Sequence, residues 1–567
     1  MTNQKIFDLL KLHASLLELH GENNFKVRSY HTAVFNMETL AESLADMSLK
    51  ELQGLEGVGK AIATKIDDIN QTGTFKQLEE FRAKTPEGVI EMMEIDGLGI
   101  KKIKVIWEEL QIESLDALLL ACETDQLSQV KGFGQKTQEN IRQALLYRKA
   151  NASRLHYAKA EIMANQLEAY LKEQNLSGQF QIVGQIRRKF NVVDEVQLVA
   201  STPHDELFTT LNGCEFLEPN TKASGLFAWR GKFKDSPLKV EARLCAADDF
   251  AGEVFIHSAS PGHLTYAEAG MPTLFQIAQK DKLATEEAIY QKAQLAYVVP
   301  EMREGDFELE LAKKNELPTL LETADIKGIL HAHSTYSDGK NTLEEMAVAV
   351  RDAGYEYLGI TDHSQSAFYA NGLPVGRVLD QLKEIDELNA KLAPFKIFKG
   401  MESDIIADGG LDYDDDILAK FDFIIASVHS GLKMSEEKAT TRLIKAVENP
   451  YTTMLGHPTG RILLRREGYP VNHEKVIDAC AANDVMIEIN ASPWRLDIDW
   501  QWVHYALKKG VKLSINPDSH EVGTIGEVYY GVCVGRKGGL TKEMTLNTLG
   551  ADAIGQFFEE RKKKKGI

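Results

Sequence analysis

From about Asp325 to the C-terminus the chain repeats one pattern, a short apolar run followed by a helical stretch. The runs KGILH, YLGIT, FKIFKGM, FIIASV, TTMLG, VMIEIN and VKLSI are rich in Ile, Val and Leu, and stretches such as TLEEMAVAVRDAG and HEKVIDACAAND follow them. Seven βα repeats of this kind predict a parallel barrel rather than an open sheet. The order of the strands is not written in the sequence, so the open sheet stands as the alternative.

The polar residues of this half fall where the runs end. His331, His333 and Asp338 follow the first, Asp362 and His363 the second, and Glu402 closes the third. His429, His457 and the pair Asp518 and His520 follow the fourth, fifth and seventh. In a parallel barrel every strand C-terminus opens on one face, which holds the active site. Six of the eight histidines beyond residue 330 therefore converge, while His473 and His504 lie in helical stretches. A single such histidine is ordinarily structural, but independent structural histidines have no reason to follow one strand after another. Imidazoles and carboxylates without thiolates suit Mn, Zn or Fe. One ion takes about four to six ligands, so His331, His333, Asp338, His363, Glu402, His429, His457, Asp518 and His520 imply at least two ions.

The motifs HAHSTYSDG, GITDHS, KGMESD, SVHSG, GHPTGR and NPDSH resemble, in order, those of the PHP (polymerase and histidinol phosphatase) family. The resemblance implies a distorted (βα)7 barrel, a cluster of three divalent ions on those nine residues, and hydrolysis of phosphate esters. Arg461, Arg465 and Arg466, just past His457, offer a phosphate clamp; ordinary surface charge is the competing reading.

Residues 1 to about 150 read as short helices interrupted by glycine pairs. LEGVGKAIATKI (Gly57, Gly59), IDGLGIKKIKVI (Gly97, Gly99) and VKGFGQKTQENI (Gly132, Gly134) share an apolar residue before and between the glycines and a helix after them. Glycine permits the tight turn, and the helix N-terminus exposes amides suited to a phosphate. The three segments resemble the helix-hairpin-helix motif, which implies contact with the DNA backbone. Their setting resembles the lyase and fingers domains of the family X DNA polymerases, which places Lys65 at that family's Schiff-base lysine.

An α+β segment follows, with a helix at EIMANQLEAYLKEQ and strands at QFQIVGQIRR, EVQLVAS and PLKVEARLCA. Gly184, Arg187 and Arg188 match the family X polymerase palm, but Gln185 replaces its serine. The metal-binding acids fall on Glu195, Gln197 and Glu241, and FIHS (Phe255 to Ser258) stands at the turn beside the incoming sugar. Gln197 is neutral and a poor Mg²⁺ ligand, so the palm fold is expected without its two-metal chemistry. Charge-rich YVVPEMREGDFELELAKKNELP reads as a linker. The terminal RKKKK run reads as a solvated tail.

Together these segments resemble the bacterial PolX group of that family. The expected domains are 1–90 (lyase-like), 91–150 (fingers-like), 151–260 (palm), 261–324 (thumb and linker) and 325–567 (barrel). The group implies a metal-dependent 3′→5′ exonuclease of DNA repair acting on 3′ ends of gapped or primer–template DNA. A 3′-end-cleaning phosphatase, a polymerase of weak activity and a non-catalytic gap-binding module are the alternatives; a small-metabolite phosphatase leaves the N-terminal half unexplained. The formal charge of −19 argues against adhesion to nucleic acid over the whole surface. Five scattered cysteines without a CxxC pair fit free thiols in a reducing compartment. The N-terminal helix lacks the features of a signal peptide, and no apolar run approaches the ~20 residues of a membrane span. A cytoplasmic monomer without an obligate protein partner is therefore expected.

Overall fold

In the computed structural model, which describes residues 1, 3–38, 42–95 and 97–567, the seven apolar runs of the C-terminal half pair as one sheet. Its strands are Gly328–Ile329, Tyr357–Ile360, Lys396–Asp404, Phe423–Ser427, Met454–Leu455, Met486–Asn490 and Leu513–Asn516. They lie side by side in chain order and all run parallel. The first and last meet through a parallel bridge between Ala332 and Ser519. There His333 N donates to Ser519 O at 2.8 Å and Ser519 N to His331 O at 3.3 Å. That bridge makes the sheet a barrel, as the repeat count predicts.

Leu358, Ile360, Ile397, Ile424, Ile487 and Ile515 are buried in one apolar core with residues of the surrounding helices, such as Met346, Ile385 and Leu443. A second cluster forms where the strands begin: Tyr357, Phe398, Phe423, Met454 and Met486 pack with Ile554 and Phe558. The last two belong to the helix Ala551–Lys565, which plugs the end opposite the predicted site. This corrects the reading of the RKKKK run as a solvated tail. Arg561 is buried and donates to the carbonyls of Asp484, Pro450 and Thr452. Lys562 donates to those of Ala419 and Phe421. A helix end presents unpaired carbonyls, and these cations satisfy carbonyls of the neighbouring turns.

Residues 152–324, in the same compact unit as the barrel, begin with the helix Tyr157–Glu173 and a five-stranded sheet. The sheet order is Phe180–Val183, Glu195–Ala200, Lys239–Leu244, Ala228–Phe233, Leu217–Pro219, with only the Glu195–Ala200 and Lys239–Leu244 pair parallel. The first strand is shorter than QFQIVGQIRR suggests. It stops at Val183, where Gly184 adopts φ +65° and starts the helical turn Gly184–Arg187. Ala228–Phe233, unforeseen in the sequence, pairs with Lys239–Leu244, the strand that carries Glu241. The connector read as a linker is instead packed. Arg303 is fully buried with Glu286, and Glu308 accepts from buried His263 at 2.8 Å. Glu301, Arg303, Glu304 and Glu308 form inward ion pairs, while Asp306, Glu310, Lys313, Lys314 and Glu316 are exposed.

Residues 1–151 are helical and share one apolar core that runs from Ile6 to Leu145. Among the described residues no helix is long and apolar enough to cross a membrane.

Candidate metal centre

All nine predicted ligands meet at the C-terminal rim of the barrel, with Glu402 in the middle. Glu402 Oε1 lies 3.0 Å from His457 Nε2, 3.2 Å from His429 Nε2 and 3.5 Å from His331 Nε2. Its Oε2 lies 2.9 Å from His363 Nδ1 and 3.7 Å from His333 Nε2. Asp518 Oδ1 approaches His333 Nε2 at 3.1 Å and His331 Nε2 at 3.4 Å. Asp338 Oδ1 stands 3.3 Å from His520 Nε2, 3.6 Å from His363 Nε2 and 3.9 Å from His333 Nδ1.

Three overlapping groups of donors result: His333, Asp338, His363 and His520; His331, His333 and Asp518; His363, Glu402 and His429. Within each, the ligand atoms lie within 4.8 Å of one another. Ligand bonds of about 2.0–2.2 Å set two donors of one cation at most about 4.4 Å apart, so small side-chain adjustments would gather each group round one cation. His457 belongs to none of them and touches the cluster through Glu402. Among the described residues His331 Nε2, His333 Nδ1, His363 Nδ1 and Glu402 Oε2 are buried and make no contact of hydrogen-bond geometry, the 2.9 Å approach of His363 Nδ1 to Glu402 Oε2 included. A buried polar atom left so costs about 1–3 kcal/mol, and a cation would give each a partner. The residues therefore fit divalent metal.

Electrostatics point the same way. Burial alone would lower every imidazole here, but facing carboxylates outweigh it for three of them. Glu488, Asp518 and Glu402 raise His331 well above its usual range. Glu402 and Asp404 lift His429 to about 10, and Asp338 and Asp518 lift His520 to about 9. His333, buried and facing His520 and His363, falls to about 3. For the carboxyls burial acts upward, yet the histidines hold Glu402 and Asp518 well below the ordinary carboxylate range. The rim is a concentration of anionic oxygen that protons balance where cations do not.

Several residues that position this set escaped the sequence reading. Buried Glu488, on the sixth strand, accepts from His331 Nδ1 at 2.6 Å and from His457 N at 2.8 Å. Asp404 accepts from His429 Nδ1, and Asn490 Nδ2 donates to Asp518 Oδ2 at 3.0 Å. A proton fixed on the far ring nitrogen turns the other lone pair inward, as ligand histidines require. The signal available was a glutamate inside an otherwise apolar buried strand, VMIEIN, which needs partners. Asp362, by contrast, is a scaffold. It accepts from Ser334, Ser337 and Gln381 and has no place in the donor groups.

Arg461, offered as a phosphate clamp, is committed inward. It donates to Asp499 at 2.7 Å and to the carbonyls of Arg495 and Leu496. Arg466 donates to Gly460 O at 2.9 Å, and Arg465 is exposed. Arg495, unnoticed in the sequence, reaches the cluster, with Nε 3.7 Å from Asp518 Oδ2.

The palm positions come together differently. Gln197 stands opposite Glu241 in the parallel register. Its amide donates to Glu195 at 2.8 Å, and a Cβ on Gly184 would lie 2.4 Å from its Oε1. Glu241 accepts from Arg230 Nε at 2.7 Å and from Arg243 Nε at 2.6 Å. Burial works to raise its carboxyl, and the two guanidinium groups hold it down. Burial and Glu241 raise Glu195. Arg187 pairs with Glu286 and Ser258, and Arg188 with Glu304.

In the N-terminal unit the three glycine segments make the same turn. Val58 N, Leu98 N and Phe133 N donate to the carbonyls of Leu55, Ile95 and Val130 at 3.0–3.1 Å. These three apolar side chains are buried, and the glycines beside them are exposed. Gly57, Gly97 and Gly132 have positive φ. Gly59 and Gly99 do not, and a Cβ on either would meet nothing within 4 Å. The fold itself leaves room there for a ligand to approach the backbone. Asp96, within the second segment, lies outside the described residues. Lys65 is half-buried, its Nζ 5.8 Å from the ring centroids of Tyr30 and Phe75. Burial chiefly lowers its pKa; Asp68 opposes this and Lys26 adds to it.

Residues 1–75 match the family described as "Helix-hairpin-helix domain", residues 89–145 "SAM-like Helix-hairpin-helix tandem" and residues 330–492 "PHP domain". The "DNA polymerase/3'-5' exonuclease PolX" of Bacillus subtilis (strain 168) is 32% identical over 577 aligned positions, covering 99% of this chain and 100% of that protein. A "Probable phosphatase" of Thermoanaerobacter sp. (strain X514) is 30% identical over 254 positions, 42% of this chain and 98% of that protein. Another, of Acetivibrio thermocellus, is 30% identical over 247 positions, 41% of this chain and 95% of that protein.

Proposed function

Since the chain belongs to the PolX-type family X DNA polymerases, with helix-hairpin-helix domains ahead of a C-terminal PHP domain, we propose that it is a metal-dependent 3′→5′ exonuclease of DNA repair. The observation that carries the reading is the convergence of nine donor side chains at one rim, eight of them in three overlapping groups. These groups suit three ions, of which manganese or zinc, and also iron, match the donor set. When bound, such ions supply Lewis acidity and acidify a water to near neutrality. The chain's own residues do the rest. Asp404, Glu488 and Asn490 hold His429, His331 and Asp518 in fixed orientation. The glycine turns offer helix N-terminal amides to the DNA backbone irrespective of sequence.

Polymerase activity is lost in this reading. Nucleotidyl transfer needs carboxylates free to hold two cations, whereas Gln197 is neutral and Glu241 is already paired with Arg230 and Arg243. A second activity is favoured by the desolvated Lys65: removal of a 5′-deoxyribose phosphate through a Schiff base, which a depressed lysine pKa assists. Borohydride would trap that adduct in the wild type and not in Lys65→Ala.

The main test incubates the full chain with Mn²⁺ and labelled primer–template, with and without deoxynucleotides, beside His331→Ala and Glu241→Ala. Shortening by the wild type and Glu241→Ala but not by His331→Ala is expected. Extension of the primer that disappears in Glu241→Ala would overturn the view of the palm. Release of phosphate from a 3′-phosphorylated primer without shortening would make the barrel a monoesterase, the activity for which the shorter relatives are named.

A further inference from the structure

The loop after the second barrel strand is fixed from below and bare above. Ser366 N donates to Asp412 at 2.6 Å and Ser366 Oγ to Asp404 at 3.1 Å. Ala367 and Ala370 are buried, and at Gly372 a Cβ would lie 2.0 Å from Ser364 O. Between these anchors Phe368 and Tyr369 stand 88% and 66% exposed. The Tyr369 ring centroid is 6.2 Å from that of His363 and 6.4 Å from that of His429. Large aromatic side chains held in water by a fixed loop are costly, and here Tyr369 borders the donor cluster with Phe368 next to it in the chain. Arg495 borders it too, through Asp518.

We propose that Phe368, Tyr369 and Arg495 grip the terminal nucleotide of a single-stranded 3′ end, the rings receiving its base and the guanidinium its phosphate. The inference deepens the exonuclease reading and rests on it. An aromatic face takes any base, which suits removal of nucleotides regardless of sequence. It requires a base freed from its neighbours, so a frayed or mispaired terminus is bound in preference to a paired one. A guanidinium offers a planar fork to phosphate oxygens, and among the described residues no carbonyl or bidentate carboxylate occupies that of Arg495. These are positioning residues, distinct from the metal ligands.

The test uses the full chain and two single-stranded oligonucleotides that differ only in whether the 3′-terminal nucleotide carries a base. With Mn²⁺ the wild type is expected to shorten the base-bearing strand about tenfold or more faster at limiting substrate, the range of one base stacked on an aromatic side chain. Phe368→Ala and Tyr369→Ala should each reduce that ratio toward one, and Tyr369→Phe should retain it. An undiminished ratio in both alanine variants would overturn the proposal. In parallel, a strand ending in 5-iodouracil is irradiated with the protein in chelator, where no hydrolysis occurs. Crosslinking at Phe368 or Tyr369 supports the platform, and crosslinking only elsewhere in the chain overturns it. Crosslinks at these rings without shortening by the metal-loaded wild type would leave the platform standing and sink the exonuclease reading alone.

Discussion

The barrel rim and the palm each set acidic side chains on or just after parallel strands, yet they have opposite electrostatic outcomes. At the rim Glu402 and Asp518 face imidazoles, groups that yield their proton and bind a cation through the freed lone pair. In the palm Glu241 faces Arg230 and Arg243, which stay charged and occupy both carboxylate oxygens. What partners a carboxylate, more than its own presence, decides whether the site accepts metal.

Glu402→Gln should damage the rim most, because Glu402 touches five of the six cluster histidines. Hydrolysis of labelled DNA is expected to fall on the order of 10³-fold or more, as when a member of a cooperating set is removed. Retention of full activity and metal content would break the comparison.

A second contrast lies between buried histidines. His13 packs edge-on against Tyr30, Phe75 and Phe81 with no carboxylate partner among the described residues, and burial, with Lys65 and Lys26, lowers its pKa to about 4. Its folded pKa lies below the unfolded value near 6.5, so the unfolded chain binds the extra proton first. The N-terminal unit should therefore be fully stable above about pH 6.5 and lose up to about 3 kcal/mol as pH falls to about 4. Hydrogen exchange of the helix Asn3–Leu19 against pH would show this, and His13→Phe should flatten the profile.

Next in size, Asp404→Asn and Glu488→Gln should each weaken Mn²⁺ binding about 10–100-fold, the usual cost of losing the partner of a ligand histidine. Calorimetric titration reads the affinity directly. Equal affinity in both variants would mean that Nδ1 contacts do not set the rim's order.

Smaller still, the triple variant Gly59→Ala, Gly99→Ala, Gly134→Ala should lower affinity for DNA on the order of tenfold through lost backbone contacts. Its melting temperature should move little, since a Cβ at Gly59 or Gly134 meets nothing. Unfolding instead of weakened binding would show that the glycines serve the fold.

The linear sequence carried the rim because a parallel barrel translates position along the chain into position in space. Each strand ends on the same face, so His331, His363, Glu402, His429, His457 and Asp518 could be assigned to one place from the ends of apolar runs. It carried the glycine turns for a similar reason, since their hydrogen bonds span three residues. Partners distant in sequence were not legible. Closure through Ala332 and Ser519, the support of His331 by Glu488 and the pairing of Arg303 with Glu286 depend on which surfaces meet. The palm shows the limit most sharply: the sequence itself has a neutral Gln197 where the family resemblance expects a carboxylate. Only the antiparallel register that sets Arg230 across from Glu241 decides that this one of the two remaining acids is already paired. Local geometry is fixed by neighbours along the chain, whereas the charge state of a buried carboxylate is fixed by neighbours in space.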